Sequence, residues 1–514
     1  MIKLWFAILS ACFLAAGTAS FFRNVHIFQL NGYKPPVQRR WVRDHIEPLL
    51  ARSVWALGAA PLVQKWGAWG TVGACVLFLA VLALNLPWKS KAKKPLVVTA
   101  RVKRLLGTYL LLHAVPILLG FLAPEGWAFG ALLMSFGLAG APWLVLGADS
   151  LNGPVEKAVS RHYIRDAARL LAQSPQLRVI GVTGSYGKTS VKFFLEKLLS
   201  VSYNVLITPE NYNTTLGVVR TVRERLRPTH ELFVCEMGAR NVGDIKEICD
   251  LVKPELGVIT AIGPQHLESF GSLQNVVKTK FELADALPEG GVLFRNADDE
   301  EIRNRKVAVK TVDYGTLRGD YRAEDITAEE GGFRFTLRGV TFHTRLLGRH
   351  NILNLCAAIA VANTLGIPLE KLTLPVRRLE SVPHRLQLLG AGNRLIIDDA
   401  YNSNPAGALA ALEALAAFPR LRVLVTPGMV ELGGRQEELN RAFGSQAAAR
   451  CDRAVLVGEK QAAPIRAGLL AAGFPQEHIA VAATVQEAVR IADGYDDGGR
   501  GRVILLENDL PDNY

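Results

Sequence analysis

The six cysteines of this 514-residue chain, Cys12, Cys75, Cys235, Cys249, Cys356 and Cys451, include no Cys-x-x-Cys pair. That absence argues against a thiolate zinc site or a redox dithiol, and scattered single thiols fit a reducing compartment. Acidic residues are scarce in one region only. Residues 1–150 hold fifteen Lys or Arg against four Asp or Glu, whereas residues 151–514 hold 44 against 43. The net charge of +12 therefore sits in the N-terminal part. The remainder has no basic excess to meet a phosphate backbone, so nucleic acid is not expected as a partner.

What the first 150 residues have instead is long apolar runs almost without charge. Ile2–Phe22, Trp69–Leu86, Leu105–Leu122 and Trp127–Leu146 each approach the roughly 20 residues that cross a bilayer, with Trp and Tyr near their ends. A weaker run, Val54–Val63, leaves the count between four and five. Ile2–Phe22 also has the Lys3, apolar stretch and small residues of a secretory leader, but three further runs follow it. The basic loop Lys89-Ser-Lys91-Ala-Lys93-Lys94 should lie in the cytoplasm. The expectation is a multi-pass protein of a bacterial-type cytoplasmic membrane, with membrane lipid around residues 1–150 and everything from residue 149 onward in the cytoplasm.

The most informative stretch is Gly181-Val-Thr-Gly184-Ser185-Tyr-Gly187-Lys188-Thr189-Ser190, between the apolar run Leu177–Ile180 and the helical pattern Val191–Leu199. Strand, glycine loop and helix in this order make an anion site: loop amides and the helix N-terminus face the ligand, and glycines admit the phosphates closely. Lys188 would reach the outer phosphates and Thr189 would hold Mg²⁺. The strict loop pattern asks for a glycine at position 182, where this chain has Val182. ATP is the expected ligand.

Beyond the loop, Tyr203–Thr208, Glu231–Glu236 and Leu256–Thr260 are short apolar runs separated by helical pattern, which reads as a parallel α/β sheet. Three constellations stand at or after strand ends, where open α/β sheets bind ligands. They are Phe233-Val-Cys-Glu236-Met-Gly238-Ala239, Ile262-Gly-Pro-Gln-His266-Leu-Glu268-Ser-Phe270-Gly271 and Lys278-Thr-Lys280-Phe-Glu282. Taken singly, Glu236 could be an ordinary strand-end carboxylate, His266 a helix cap and Lys280 a solvated lysine.

Together these motifs resemble those of the Mur ligase family, over about residues 155–500. The resemblance continues through Asn296-Ala-Asp-Asp299, Gly348-Arg-His-Asn351-Ile-Leu-Asn354, Val382-Pro-His-Arg385-Leu and Asp398-Asp399-Ala-Tyr401-Asn402-Ser-Asn404-Pro405. With Met429-Val-Glu431-Leu-Gly433, the wording is most similar to the subgroup that adds D-alanyl-D-alanine to a peptidoglycan precursor. The chain is expected to be an α/β protein: the apolar runs give a multi-span helical region (1–150), and the resemblance implies a P-loop, doubly wound ATP-binding domain (151–385) and a smaller Rossmann-like domain (386–514). Strands are expected in the last near Leu395–Ile397, Val423–Thr426, Ala454–Val457 and Val503–Leu506. The resemblance also implies an ATP-dependent amide ligase that activates a carboxylate as an acyl phosphate, which an amine then attacks. Lys188, Glu236, His266 and Lys280 would be catalytic. Gly184, Ser185, Gly187, Lys188, Thr189, Ser190, Asn351, Arg385 and Asp399 would bind ATP. Thr189, Glu236, His266 and Lys280 would serve Mg²⁺, with Lys280 carbamylated. The partners would be a peptide-bearing envelope precursor, nucleotide- or lipid-linked, and an amine.

Two departures stand against the subgroup pattern. Residues 1–150 occupy the place of the family's uridine-nucleotide-binding domain, and the terminal Lys-Gly-Ser motif is replaced by Glu507-Asn508-Asp509. Acidic groups there suit a substrate ammonium. They leave open a ligase of another envelope polymer, of the poly-glutamate or cyanophycin type, and an ATP-binding scaffold without catalysis.

Overall fold

A computed structural model describes residues 2–86, 95–122, 127–209, 212–263, 267–329, 332–400, 404–430 and 432–508. The chain forms two compact units, one up to Arg161 and one from His162 onward.

The first unit is helical. Its apolar runs become the helices Ile2–Leu30, Ala59–Asn85, Ala100–Leu122 and Trp127–Ala139, followed by Ala141–Ala172, which passes through residue 150. Three helical stretches among the described residues are long and apolar enough to cross a membrane, judged by length and composition. The expected run Trp127–Leu146 is not one straight helix: the chain breaks at Gly140 and turns by 84°. The weak run at Val54 is continuous with the second, over Val54–Asn85, with a non-helical Gly67 (φ 52°, ψ −119°) inside it. Gly120 and Gly130 let two helices approach closely, since a Cβ on either would stand within 3.0 Å of the other's Cα.

The second unit carries two sheets. The larger contains β1 (Arg178–Thr183), β2 (Val205–Ile207), β3 (Leu232–Glu236), β4 (Leu256–Ile259), β5 (Val292–Asn296), β6 (Lys310–Gly315), β7 (Tyr321–Glu329), β8 (Gly332–Leu337) and β9 (Val340–Thr344). Their order is β2-β3-β1-β4-β5-β6-β7-β8-β9. Pairing is parallel from β2 through β7 and antiparallel from β7 through β9. The parallel strands are near-continuous apolar runs because helices cover both faces. One face packs on Lys188–Leu199 and Arg349–Thr364, the other on Thr215–Arg225 and Asp244–Val252.

The smaller sheet contains β10 (Gln387–Ala391), β11 (Arg394–Asp399), β12 (Leu421–Thr426), β13 (Arg453–Val457), β14 (Ile479–Ala482) and β15 (Arg502–Glu507), in the order β10-β11-β15-β12-β13-β14. Only β10 runs antiparallel, as a hairpin with β11. The four strands expected here from the sequence lie within β11, β12, β13 and β15. The β10–β11 hairpin and the β6–β9 extension were not anticipated; most residues of β6 and β7 are exposed or half-buried, which gives a weaker apolar signal than the buried parallel strands. β1, β3 and β4 end side by side, and the loops and helices that leave those ends build the site.

Candidate active site

β1 ends at Thr183, whose hydroxyl donates to Met237 O at 2.9 Å. The loop from Gly184 to Gly187 then enters the helix Lys188–Leu199. Glycine is required at both ends of that loop. A Cβ at Gly184 would overlap Thr260 Oγ1, while Gly187 sits at φ +80° with room for no more than hydrogen, since a Cβ would stand 2.6 Å from Asn354 Oδ1. Ser185 is pinned from behind: its amide donates to Ala261 O (2.7 Å) and its hydroxyl lies 3.1 Å from both Gly263 N and Gly263 O. Thr260 Oγ1 lies within hydrogen-bond reach of Tyr186 O and Thr183 O. The missing glycine at position 182 is explained by this layout, because Val182 is a buried residue of β1 rather than part of the loop.

Lys188 Nζ folds back on its own loop and donates to Gly184 O (2.6 Å) and Ser185 O (3.1 Å). Burial lowers its pKa to about 8, with Arg385 adding to the effect and Glu236 opposing it. Thr189 Oγ1 donates to Glu236 Oε1 at 3.1 Å, and Asn213 Nδ2 donates to the same oxygen at 3.2 Å. The other carboxylate oxygen is ion-paired with Lys192 Nζ at 2.9 Å, and neither side chain of the pair is more than 2% exposed. Burial works against ionisation of Glu236, but Lys192 and Lys188 outweigh it and hold the carboxyl below its usual range. Ser190 is buried in the first turn of the helix.

Lys280 lies on the helix Leu273–Asp285, which Ser272 caps by accepting from Asn275 N (3.2 Å). It is 2% exposed, and burial, reinforced by Lys188, drives its pKa well below the ordinary lysine value. Burial thus favours the uncharged form of this amine, which stands within the electrostatic reach of Lys188 and Glu236. Its neighbour Glu282 turns away, and its two oxygens accept the Gly243 and Lys246 amides (2.7 and 2.9 Å) at the start of another helix. His266 lies outside the described residues.

Three further expected residues come from more distant parts of the chain. Asn351 is buried and donates to Leu347 O (2.8 Å), with Asn354 donating to its Oδ1 (3.4 Å). Arg385 stands where its charge bears on Lys188 and His350. Asp399, at the end of β11, accepts the Leu386 amide (3.1 Å); burial raises its pKa to about 6. Tyr401, Asn402, Glu431 and Asp509 lie outside the described residues. Glu507 is buried and accepts the Thr426 hydroxyl at 2.5 Å, so in this arrangement it buttresses the ends of β12 and β15. Asp298 and Asp299 cap a turn and a short helix.

Sequence reasoning missed Lys192, Asn213 and Thr260. Lys192 carried a usable signal, since it stands four residues after Lys188 and shares its helix face. Nothing local marked Asn213 or Thr260, which reach the site from separate strand ends.

The site suits a nucleotide with Mg²⁺. Mg²⁺ takes oxygen donors, commonly one or two protein carboxylates together with substrate phosphates and water. An ionised carboxylate touching a hydroxyl beside a glycine loop matches that requirement: Thr189 and Glu236 would hold the ion and Lys188 the phosphates.

Residues 182–362 match the Mur ligase middle domain, and residues 384–506 match the domain described as Mur ligase, glutamate ligase domain. The UDP-N-acetylmuramoyl-tripeptide–D-alanyl-D-alanine ligase of Escherichia coli K12 is 36% identical over 306 residues, covering 57% of this chain and 68% of that enzyme. The Bacillus subtilis enzyme of the same name is 35% identical over 289 residues, covering 55% of this chain and 63% of that enzyme. Among solved structures, MurF from Acinetobacter baumannii aligns with a TM-score of 0.62 at 27% identity, over 68% of this chain and 78% of that one. MurF ligase from Thermotoga maritima in complex with ADP aligns with a TM-score of 0.61 at 26% identity, over 68% and 80%.

These comparisons correct the expected location. The matched relatives are soluble cytoplasmic enzymes, which overturns a multi-pass membrane protein as the reading, and nothing in them supports a membrane lipid partner. The apolar helices before Arg161 lie outside both matched segments and remain candidates by length and composition only.

Proposed function

The chain belongs to the Mur ligase family, and from that premise we propose that it is an ATP-dependent ligase joining D-alanyl-D-alanine to the peptide of a UDP-N-acetylmuramoyl-tripeptide. One observation carries the reading. Thr189 Oγ1 and Glu236 Oε1 meet at 3.1 Å beside a glycine loop, in a chain 36% identical to an enzyme named for that reaction. ATP and the peptide carboxylate are both anions, so a ligase must neutralise their repulsion before one can approach the other. Mg²⁺, when bound, supplies part of that neutralisation at the phosphates.

In the residue roles we assign, the loop amides and the Lys188 ammonium hold the outer phosphates. Thr189 and Glu236 orient the first metal-binding position. The peptide carboxylate attacks the γ-phosphorus, ADP leaves, and the acyl phosphate forms. The neutral amino group of the dipeptide then attacks the acyl carbon. Inorganic phosphate departs and the new amide nitrogen loses a proton. Arg385 and Asp399 come from the linker and the smaller sheet, so closure of that sheet over the loop would exclude water and protect the acyl phosphate. Lys280 fits carbamylation: burial favours the neutral form of its amine, and that is the form that attacks CO₂. Carbamylation would convert it to an anion for the second metal-binding position, with His266. We take residues 151–385 as the ATP-binding domain and 386–514 as the smaller domain.

The test is ADP release by the purified full chain. Release that requires the UDP-linked tripeptide and D-alanyl-D-alanine together supports the reading. ADP binding without release on any tripeptide acceptor refutes it.

A further inference from the structure

The segment joining the two sheets, Val382 to Gln387, holds two non-glycine residues in the left-handed region. They are His384 (φ +61°) and Leu386 (φ +46°), with Arg385 between them. Side-chain crowding makes this conformation uncommon for such residues, and it persists only where surrounding groups over-determine it. Here two consecutive carboxylates at the end of β11 do so. Asp398 Oδ2 pairs with His384 Nδ1 at 2.8 Å, and Asp399 Oδ1 accepts the Leu386 amide at 3.1 Å. Gln387 Oε1 accepts the His384 amide (3.3 Å), and the second Asp398 oxygen accepts the Ala400 amide (3.2 Å).

The far side of the segment is packed. Leu386 is buried against Gly348, where a Cβ would stand 2.8 Å from Leu386 Cδ1. Gly348 caps the helix Arg349–Thr364, whose Asn354 fits against Gly187 of the phosphate loop. With the residues on both sides of it fixed, Arg385 has little freedom of direction, and its charge is felt at Lys188 and His350. His384, by contrast, leaves 58% of its side chain exposed, so its bond to Asp398 can open without disturbing a core.

We propose that His384 and Asp398 are positioning residues: their pairing clasps the linker to β11 in its left-handed form and so aims Arg385 at the nucleotide site. Neither residue has a role among the nucleotide and metal positions assigned to this site. The inference rests on the reading of that site as nucleotide-binding.

The experiment measures ADP affinity by calorimetry and kcat/KM for ATP, with the thermal midpoint of each protein. The variants are His384→Gly, His384→Asn, Asp398→Ala and the double His384→Gly/Asp398→Ala. Glycine keeps the left-handed backbone available and removes only the clasp. His384→Gly and Asp398→Ala are each expected to lose about tenfold in ADP affinity, the scale of one charge-assisted hydrogen bond. The double variant should lose no more than either single one, and His384→Asn, which tolerates this conformation and can bond Asp398, should recover part of the loss. Wild-type ADP affinity in His384→Gly, with or without a lower thermal midpoint, overturns the proposal. So do two single losses that multiply in the double variant. ADP binding needs no ligation, so a chain that binds ADP and ligates nothing refutes the proposed function while the clasp is still measured.

Discussion

Replacing Lys192 with methionine is the sharpest test of how the site is held together. Methionine is close to lysine in volume, so the change removes a charge and leaves little cavity. Lys192 is fully buried and Glu236 is 2% exposed, with 2.9 Å between the charged atoms. Removing one partner strands the other in a medium that solvates it poorly, at a cost of about 3–5 kcal/mol. At roughly 2 °C per kcal/mol for a unit of this size, the thermal midpoint should fall by about 6–10 °C. The double variant Lys192→Met/Glu236→Gln leaves no charge unpaired and should recover at least half of that loss, though Glu236→Gln removes the proposed metal ligand and with it activity. The pH dependence has a definite sign. The folded-state pKa of Glu236 is depressed, so the pair's contribution is complete above the ordinary carboxylate value of 4.5 and is lost as pH falls through a lower one. The gap between wild type and Lys192→Met should therefore narrow in acid. Differential scanning calorimetry across pH measures all of this. A Lys192→Met midpoint within about 2 °C of wild type at neutral pH, or a double variant less stable than either single one, would refute the reasoning.

The same geometry has other consequences. Because burial brings Lys188 to about 8, the free enzyme loses its loop ammonium as pH rises through that value, and kcat/KM for ATP should decline above pH 8; a flat profile to pH 9.5 would contradict this. Gly187→Ala places a Cβ at φ +80° and 2.6 Å from Asn354 Oδ1, so ADP affinity measured by calorimetry should fall about five- to thirty-fold, the equivalent of about 1–2 kcal/mol from the conformation alone. If Lys280 is carbamylated, turnover in CO₂-depleted buffer should drop and recover on adding bicarbonate. Lys280→Ala should be inactive and unresponsive to bicarbonate, whereas an equal response in both proteins would remove the carbamate from the mechanism.

Much of the larger sheet was legible because its strands are covered on both faces. The run Leu232–Glu236 is buried at every position, and so are five of the six residues of β1, which leaves unbroken apolar words in the sequence. β6 and β7 were not legible for the complementary reason: most of their residues are exposed or half-buried, and Asp313, Arg322, Glu324 and Asp325 break up the apolar pattern. The break at Gly140 was also hidden, since an apolar run reads the same whether the helix continues or turns by 84°. Glu236 and Lys280 were singled out by their place in ordered motifs. Glu282, Asp298 and Asp299 belong to motifs of the same kind, yet they are spent on backbone amides.

The sequence alone determined the chemistry available: a glycine loop closed by Lys188 and Thr189, and a carboxylate at a neighbouring strand end. These depend on residue type and short spacing, which local backbone geometry converts directly into an anion cradle. Tertiary structure decided the states of those groups. Lys192 became the counter-ion of Glu236 only because β3 ends beside the loop helix. The Lys280 amine is pushed toward its neutral form only because the helix carrying it is buried near Lys188. Ionisation depends on solvent exclusion and on charges brought close from residues dozens of positions away, and those distances are set when the strands pair and the helices close over them.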